Sequence, residues 1–159
     1  MTHIKVMSLK DELKQTRAFR SLEQEALLSI ERTAAVLGYA FAEELKAYDL
    51  TPTQYNVLRI LRGAGETGLC RHEVRARLIA PVPDVTRLLD RMESAELIER
   101  ERDSQDRRLV RTRITKRALG LIAKLDEPME EIHQRQLGHM SKADLRRLVG
   151  LLEEARKAP

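Results

Sequence analysis

Apolar residues in the first part of the chain recur at three- and four-residue steps, the spacing of an amphipathic helix. Residues 21–24, Ser-Leu-Glu-Gln, have the form of a capping box and predict the start of a long helix that ends near residue 47. Its apolar stripe consists of Leu27, Ile30, Ala34, Leu37, Phe41 and Leu45. Thr51 as N-cap and Pro52 in the first helical position predict a second helix, which a glycine-rich loop at 63–68 ends.

Two prolines separate the next two predicted helices. Pro81 and Pro83 disfavour helical backbone in the residues before them, so a short third helix over 71–79 and a fourth over about 83–95 are predicted. The fourth helix has a continuous apolar face at i, i+3, i+4 and i+7, formed by Val85, Leu88, Leu89 and Met92. Four polar residues face outward from it: Thr86, Arg87, Asp90 and Arg91.

Period-two alternation replaces helical spacing in the middle of the chain. Residues 97–102 and 108–114 are extended-type runs, and the polar segment between them predicts a β-hairpin whose tip is Ser-Gln-Asp-Arg at 104–107. Thr115 then caps a fifth helix that continues past a proline, where a kink is expected, and a capping box at Ser141 starts the last helix. The predicted fold class is therefore mostly α with a small β-hairpin wing.

Composition supports a helical domain with one basic segment. The chain has 159 residues, of which 42% are apolar, so it is long enough to bury a core, and it contains only seven Gly and five Pro. Residues 71–117 contain 13 Lys/Arg and 9 Asp/Glu, which gives 13 − 9 = +4; the remainder, with 16 of each sign, sums to zero. All of the net positive charge therefore lies in one central segment, which is typical of a module that binds a polyanion.

Several classes of protein are not expected. No uncharged apolar run is long enough to span a membrane, residues 1–14 lack the apolar core of a signal peptide, and one cysteine allows no internal disulfide, so we expect a soluble cytoplasmic protein. The sequence has no zinc-protease motif, glycine-rich phosphate loop or nucleophile elbow, and its four histidines have no metal-ligand spacing. Neither an enzyme nor a metal or other cofactor is expected.

The single cysteine, Cys70, allows two interpretations. Arg71 and His72 follow it directly, and their positive charge would lower the thiol pKa and make a redox-responsive regulator. The alternative is a small residue that fills a tight turn, without any chemical role. The sequence leaves both interpretations open.

Three helices followed by a hairpin is the element order of a winged helix-turn-helix. In such a protein a helix fits the major groove of DNA, and a basic hairpin reaches the neighbouring minor groove. Arg87 and Arg91 of the fourth helix have an alternative interpretation as part of a solvated face, with ion pairs that involve Asp84 and Asp90. The hairpin arginines have an alternative role as a charged edge that prevents aggregation. A helical protein–protein interaction module is therefore the rival hypothesis.

Two runs of the sequence resemble a known family. LTPTQYNVLRIL at 50–61 and DVTRLLDRMESAELIERERDSQDRRLVRTRIT at 84–115 resemble the MarR family of bacterial transcriptional regulators, and DRRLVRTRIT is similar to its wing signature. The resemblance implies a homodimeric, sequence-specific DNA-binding regulator that binds a near-palindromic operator. It also implies a repressor that is relieved by a small-molecule effector, for which an aromatic acid is the candidate.

The resemblance also assigns regions of the chain. Residues 1–20 would be an N-terminal arm, 21–50 plus 116–159 a helical dimerisation region, and 51–115 the winged helix-turn-helix DNA-binding region. The effector would occupy a cleft between the first, second and fifth helices. The candidate contacts to the effector are Arg32, Tyr39 and Tyr55.

Six residues are candidates for DNA contact by the same resemblance. Those on the recognition helix, about 83–95, are Thr86, Arg87 and Arg91. In the wing, Arg108 corresponds to the signature arginine, Asp106 to the acid that orients the wing by pairing, and Arg107 to a tip residue that enters the minor groove.

The chain departs from the family pattern at two positions where glycine is usual, Glu96 and Ala118. Glu96 ends the recognition helix, so it is expected to adopt a strained backbone conformation unless the turn differs.

Overall fold

The computed structural model describes residues 7–103 and 106–157, and over these the chain forms seven α-helices, one short 3-10 helix (Gly65–Thr67) and one small sheet. The helices are α1 (Leu9–Glu12), α2 (Leu22–Lys46), α3 (Pro52–Ala64), α4 (Arg71–Arg77), α5 (Val85–Ser94), α6 (Lys116–Leu137) and α7 (Lys142–Ala155). The strands are β1 (Leu69–Cys70), β2 (Ile98–Arg102) and β3 (Val110–Ile114). The predicted fold class is confirmed.

Internal contacts divide the chain into two units, Met1–Ala40 and Phe41–Pro159. The first unit contains α1, which was not predicted within the N-terminal arm and is capped by the Ser8 hydroxyl. The second unit contains the hydrophobic core and the three strands. The assignment of 21–50 and 116–159 to one dimerisation region remains a prediction.

Helices α3, α4 and α5 share one apolar core. Thr51 caps α3 as predicted: its hydroxyl accepts from the Gln54 N–H at 3.2 Å, and the Gln54 side chain accepts from the Thr51 N–H at 2.9 Å. The buried residues of the three helices are Tyr55, Val57, Leu58, Leu61, Val74, Val85, Leu88, Leu89 and Met92. The apolar face that spacing predicted for α5, Val85, Leu88, Leu89 and Met92, is the buried one.

Helices α4 and α5 are both shorter than predicted, for local reasons. Leu78 has extended backbone, and the next N–H, that of Ile79, donates to the Asn56 side-chain oxygen at 3.0 Å, so α4 ends at Arg77. Helix α5 begins at Val85 because Asp84 is its N-cap, with a carboxylate that accepts a backbone N–H in the first turn.

The wing belongs to a three-stranded antiparallel sheet in the order β1-β3-β2. The predicted hairpin is formed by β2 and β3, with Ile98 opposite Ile114 and Arg102 opposite Val110. The hairpin is confirmed, but the sequence did not predict the two-residue strand β1, which also pairs with β3. Two residues are too few to show alternation. Ser104 and Gln105 of the predicted tip lie outside the described residues.

Gly68 allows β1 to approach β3. Its backbone has φ 64° and ψ −177°, a region that residues with a side chain rarely adopt. A Cβ at this position would lie 2.7 Å from the Thr112 carbonyl oxygen, which is too close for any side chain. Glycine is therefore required where the chain enters the sheet.

The two departures from the family pattern are accommodated differently. Glu96 has φ 55°, which confirms the expected strain. Its N–H donates to the Glu93 carbonyl at 2.9 Å, and the Leu97 N–H donates to the Met92 carbonyl at 3.0 Å, so α5 ends in a Schellman motif without glycine. Ala118 is fully buried in the first turn of α6, where its N–H donates to the hydroxyl of the N-cap Thr115 at 3.1 Å.

Helix α6 completes the core against α3. It continues through Pro128 to Leu137, and five of its residues are buried: Ala118, Ile122, Leu125, Met129 and Ile132. Arg62 of α3 and Asp126 of α6 form a two-pronged ion pair with both N–O distances at 2.8 Å. This pair, with the apolar contact, holds α6 beside the helix-turn-helix.

Gly68→Ala should lower the free energy of unfolding by about 1–3 kcal/mol, because the added Cβ meets the β3 backbone in a strained conformation. Urea denaturation followed by circular dichroism measures the change. Gly63→Ala is the matched control: a Cβ at Gly63 of α3 meets nothing within 4 Å, so this variant should be more stable by about 0.5–1 kcal/mol. Equal effects of the two substitutions would contradict the assignment of Gly68.

Candidate nucleic-acid interface and effector cleft

The outward face of α5 presents two arginines, Arg87 and Arg91, whose side chains are exposed. Thr86, Arg87, Asp90 and Arg91 are all exposed, as predicted. The Asp84 carboxylate accepts from the backbone N–H of Arg87 at 2.9 Å, and Asp90 pairs with Arg100 of β2. Among the residues that the structure describes, neither Arg87 nor Arg91 forms an ion pair. Of the alternative ion pairs, the one that involves Asp90 is present, but its partner is Arg100 of β2 and not an arginine of α5.

Arg100 connects the wing to α5. Its Nη2 atom lies 2.6 Å from Asp90 Oδ1 and 2.5 Å from Glu93 Oε2, and its Nε donates to Glu93 at 2.9 Å. The hydrogen bonds to Glu93 and then to Asp90 raise the Arg100 pKa. The negative charge of Asp90, on the outward face of α5, is therefore compensated from inside the protein.

Arg111 connects the wing to α4. Its Nε donates to Asp103 Oδ2 at 2.8 Å, and its Nη1 lies 3.4 Å from Glu73 Oε2. The same Glu73 oxygen accepts from the Cys70 N–H at 2.7 Å, and this bond lowers the Glu73 pKa. Sequence reasoning missed this cluster, because its members meet only when the three strands have their observed register.

Asp106 has a different geometric role from the predicted one. Its Oδ1 accepts from the backbone N–H of Arg108 at 3.0 Å, and its own N–H donates to Asp103 Oδ1 at 3.0 Å. Among the described residues, the wing acid that pairs with an arginine is Asp103, at the tip end of β2, and not Asp106. Asp106 instead orders the turn through the backbone.

The wing arginines and the start of α4 lie on one surface. The side chains of Arg107 and Arg108 are exposed and form no ion pair with a described residue. Arg108 lines a pocket of about 350 Å³ together with Arg71 and His72 at the start of α4 and Thr86 of α5. The predicted DNA contacts of the helix and of the wing therefore border a common basic surface.

A separate cleft of about 670 Å³ lies beside α3. Residues of α2, α3 and α6, which are the first, second and fifth helices of the sequence prediction, line it. Phe41 of α2 and Tyr55 of α3 form an aromatic wall, with ring centroids 5.7 Å apart in an edge-to-face arrangement. Arg59 and His133 supply the basic side chains of the lining, and Ile79 and Ala80 of the helix-turn-helix turn also line it. Burial raises the pKa of Tyr55. An apolar wall with nearby cations suits an aromatic anion.

Of the three predicted effector contacts, only Tyr55 lines this cleft. Arg32 lies 3.4 Å from Glu12 and lines a groove within the first unit, and the Tyr39 residue is 69% exposed. Arg59 was missed, although it follows Tyr55 by four residues and so lies on the same helix face.

The structure favours the packing interpretation of Cys70. Cys70 is buried, and this burial raises the pKa of its thiol, although the positive charge of Arg111 opposes the shift. A thiol with a raised pKa is less reactive than the one a redox-responsive site needs.

No helix in the described ranges 7–103 and 106–157 is both long enough and apolar enough to cross a membrane. No group of three or more His, Cys, Asp or Glu in them is arranged to hold a metal ion.

A helix-turn-helix followed by a basic hairpin, with the outward helix face exposed, defines a winged-helix protein of the DNA-binding class. A family model described as "MarR family" matches residues 48–109. The crystal structure of a MarR transcription factor from Planctomyces limnophilus is 38% identical, covers 86% of this chain and 98% of its own, and has a TM-score of 0.63. The chain belongs to the MarR family of transcriptional regulators.

Two other relatives are similar. The transcriptional repressor IacR of Pseudomonas putida is 30% identical over 109 residues, which are 69% of this chain and 64% of IacR. BpsR of Bordetella bronchiseptica shares the fold, with a TM-score of 0.77, 21% identity, and coverage of 89% of this chain and 100% of the BpsR chain. The matches to curated relatives span 54% to 64% of the length of those proteins.

Arg100→Met should lower the free energy of unfolding by about 0.5–1 kcal/mol, because Asp90 and Glu93 would then repel each other without the cation that lies between them. Thermal unfolding measures this change. Arg91→Met, on the same helix but without an ion pair among the described residues, should change stability by less than about 0.5 kcal/mol. Equal melting temperatures for wild type and Arg100→Met would show that the Arg100 cluster does not stabilise the contact between the wing and α5.

Proposed function

We propose that this protein is a homodimeric, sequence-specific DNA-binding regulator that represses transcription until a small aromatic acid binds. The observation that carries the proposal is the outward face of α5, where Arg87 and Arg91 form no ion pair with described residues while the acid between them, Asp90, is paired with Arg100. A face of this kind attracts phosphate and can contact base edges in the major groove.

The wing extends the same interface. Arg107 and Arg108 are exposed in the turn between β2 and β3. The ion pairs of Arg100 and Arg111 hold these strands against α5 and α4. We assign Arg107 to the minor groove next to the major groove that α5 occupies, because a narrow A·T groove attracts arginine. Arg108 and Thr86 would complete the contacts, and Asp106 would act indirectly by ordering the turn.

Dimerisation is supported by apolar residues that the single chain leaves uncovered. Helix α7 has no buried residue, although it is amphipathic, and its Val149 and Leu151 are 54% and 60% exposed. In the first unit, Leu22 and Leu27 of α2 are also exposed. Covering such surfaces with a second copy is favourable. A dimer would present two α5 helices, about 34–36 Å apart when they match a near-palindromic operator.

The cleft beside α3 is the proposed effector site. Its aromatic wall would stack on a ring, and Arg59 would pair with a carboxylate. The structure of BpsR concerns regulation of DNA binding by 6-hydroxynicotinic acid, an aromatic acid, and IacR is named a repressor, which supports this ligand class and this direction of control.

The cleft is also joined to the DNA-binding element. Ile79 and Ala80 line the cleft and belong to the turn that leads into α5. The side-chain oxygen of Asn56, on α3, accepts a hydrogen bond from the Ile79 N–H. A ligand that displaces this turn would change the position of α5 and so favour a dimer whose two helices no longer match the operator.

The first test is affinity for duplex DNA from the promoter of its own gene as a function of salt. Steep salt dependence, preference over random duplex and two chains per duplex are expected. Arg107→Ala should weaken binding about tenfold without a change in melting temperature or in dimer mass. Lys124→Ala on α6 removes the same charge outside the interface and should have no effect.

Undetectable or salt-independent DNA binding by the wild-type protein would instead favour the rival hypothesis, a helical protein–protein interaction module. Unchanged affinity of Arg107→Ala would remove this residue from the interface and leave the rest of the proposal in place.

The second test uses 6-hydroxynicotinate and benzoate as probes in a thermal-shift titration. Binding in the cleft should raise the melting temperature, and Arg59→Met should reduce the apparent affinity at least tenfold, because the carboxylate loses its cation. Arg32→Met is the matched control and should leave the shift intact. Loss of the shift in Arg32→Met alone would relocate the effector site to the groove of the first unit.

A further inference from the structure

Arg71, the first residue of α4, reaches across the helix-turn-helix to Thr86 in the first turn of α5. Its Nη1 donates to Thr86 Oγ1 at 2.8 Å. Both residues are exposed, and Arg71 forms no ion pair with any residue in the described part of the chain. An arginine at the edge of the interface is therefore directed at the hydroxyl of a residue that faces DNA.

This contact changes what the Thr86 hydroxyl can offer. A hydroxyl has one proton to donate and two lone pairs to accept with, and Arg71 occupies one of the lone pairs. The proton has no acceptor among the described residues, so it is available to an outside group. The adjacent guanidinium charge attracts an electron-rich acceptor and repels an amino group. The pair is thus polarised as a hydrogen-bond donor.

We propose that Arg71 is a specificity-determining residue that acts through Thr86, which it orients as a donor to a base-edge acceptor in the major groove. The inference rests on the proposed DNA-binding function and deepens it. Purine N7, guanine O6 and thymine O4 are acceptors there, whereas cytosine presents only its N4 amino donor. Thr86 should therefore disfavour cytosine at the base that it faces.

A contact from Arg71 to phosphate would have a different consequence. Phosphate contacts strengthen binding to all sequences alike and contribute to its salt dependence, but they carry no base preference. His72 and Arg108 line the same pocket and can meet the backbone there without Arg71. The two roles of Arg71 are therefore separated by sequence preference, not by affinity alone.

The experiment is selection from a random duplex library by the full chain, followed by affinity measurements on single-base variants of the selected site. The wild type should deplete cytosine at one position of each half-site. Arg71→Met and Thr86→Val should each reduce this discrimination about tenfold and leave the other positions unchanged, and the double variant should match Thr86→Val. Thr86→Ser, which keeps the hydroxyl, should retain the preference.

Three results would overturn the inference. Uniform weakening by Arg71→Met, with a salt slope reduced by about 1 and base preferences intact, would make Arg71 a phosphate contact. Additive effects of the two substitutions in the double variant would show that the residues act independently. Failure of the wild type to bind any duplex would reject the proposed function itself, a result distinct from the other two. Melting temperatures of all variants should equal that of the wild type.

Discussion

Two arginines hold the wing against the helix-turn-helix, and the geometry of the candidate interface depends on them. Arg100 joins β2 to Asp90 and Glu93 of α5, and Arg111 joins β3 to Asp103 and to Glu73 of α4. Each guanidinium has two carboxylate partners and is about three-quarters covered, so it is screened less than a surface pair. The hairpin alone would be a mobile ribbon, whereas these clusters give it a defined direction relative to α5.

Because of these ion pairs, some arginines of the basic segment stabilise the fold, while others are exposed at the candidate interface. Arg100 and Arg111 are occupied by acids that would otherwise repel a polyanion, and Asp90 on the outward face of α5 is the clearest case. Arg87, Arg91, Arg107 and Arg108 form no ion pair with described residues and are exposed. Four of the interleaved acids, Glu73, Asp90, Glu93 and Asp103, are paired with these two arginines, so they do not cancel the charge of the four exposed arginines.

A hydrogen bond joins the proposed effector cleft to the turn that leads into α5. Asn56 holds the turn before α5 by one hydrogen bond to Ile79, and Ile79 itself is 88% exposed at the edge of the cleft. Leu78 and Val82 of the same turn pack against the core, so Ile79 and Ala80 are the residues of the turn that a ligand in the cleft would meet. Under the proposed function, a ligand that displaces these two residues would alter the position of α5 without touching that helix.

Periodicity and capping residues predicted helices α2 to α7, the inward face of α5 and the hairpin, because these signals are local. Thr51, Asp84 and Thr115 each satisfy backbone groups within three residues, and the apolar residues of α5 are buried by spacing alone. The family resemblance added the element order and the candidate residues on α5 and the wing. Even the strain at Glu96 was predictable, since a Schellman turn needs a positive φ there.

Only the tertiary structure determined which strands pair and which polar side chains contact one another. Strand β1 was not predictable because its pairing depends on Gly68, which permits close approach to a strand more than forty residues away. The exchange of roles between Asp106 and Asp103, the contact of Arg71 with Thr86 and the place of Arg59 in the cleft all join residues through a register or a packing angle. Local sequence specifies which residues are polar and exposed, but the register between strands and the packing between helices determine which polar groups lie within hydrogen-bond distance.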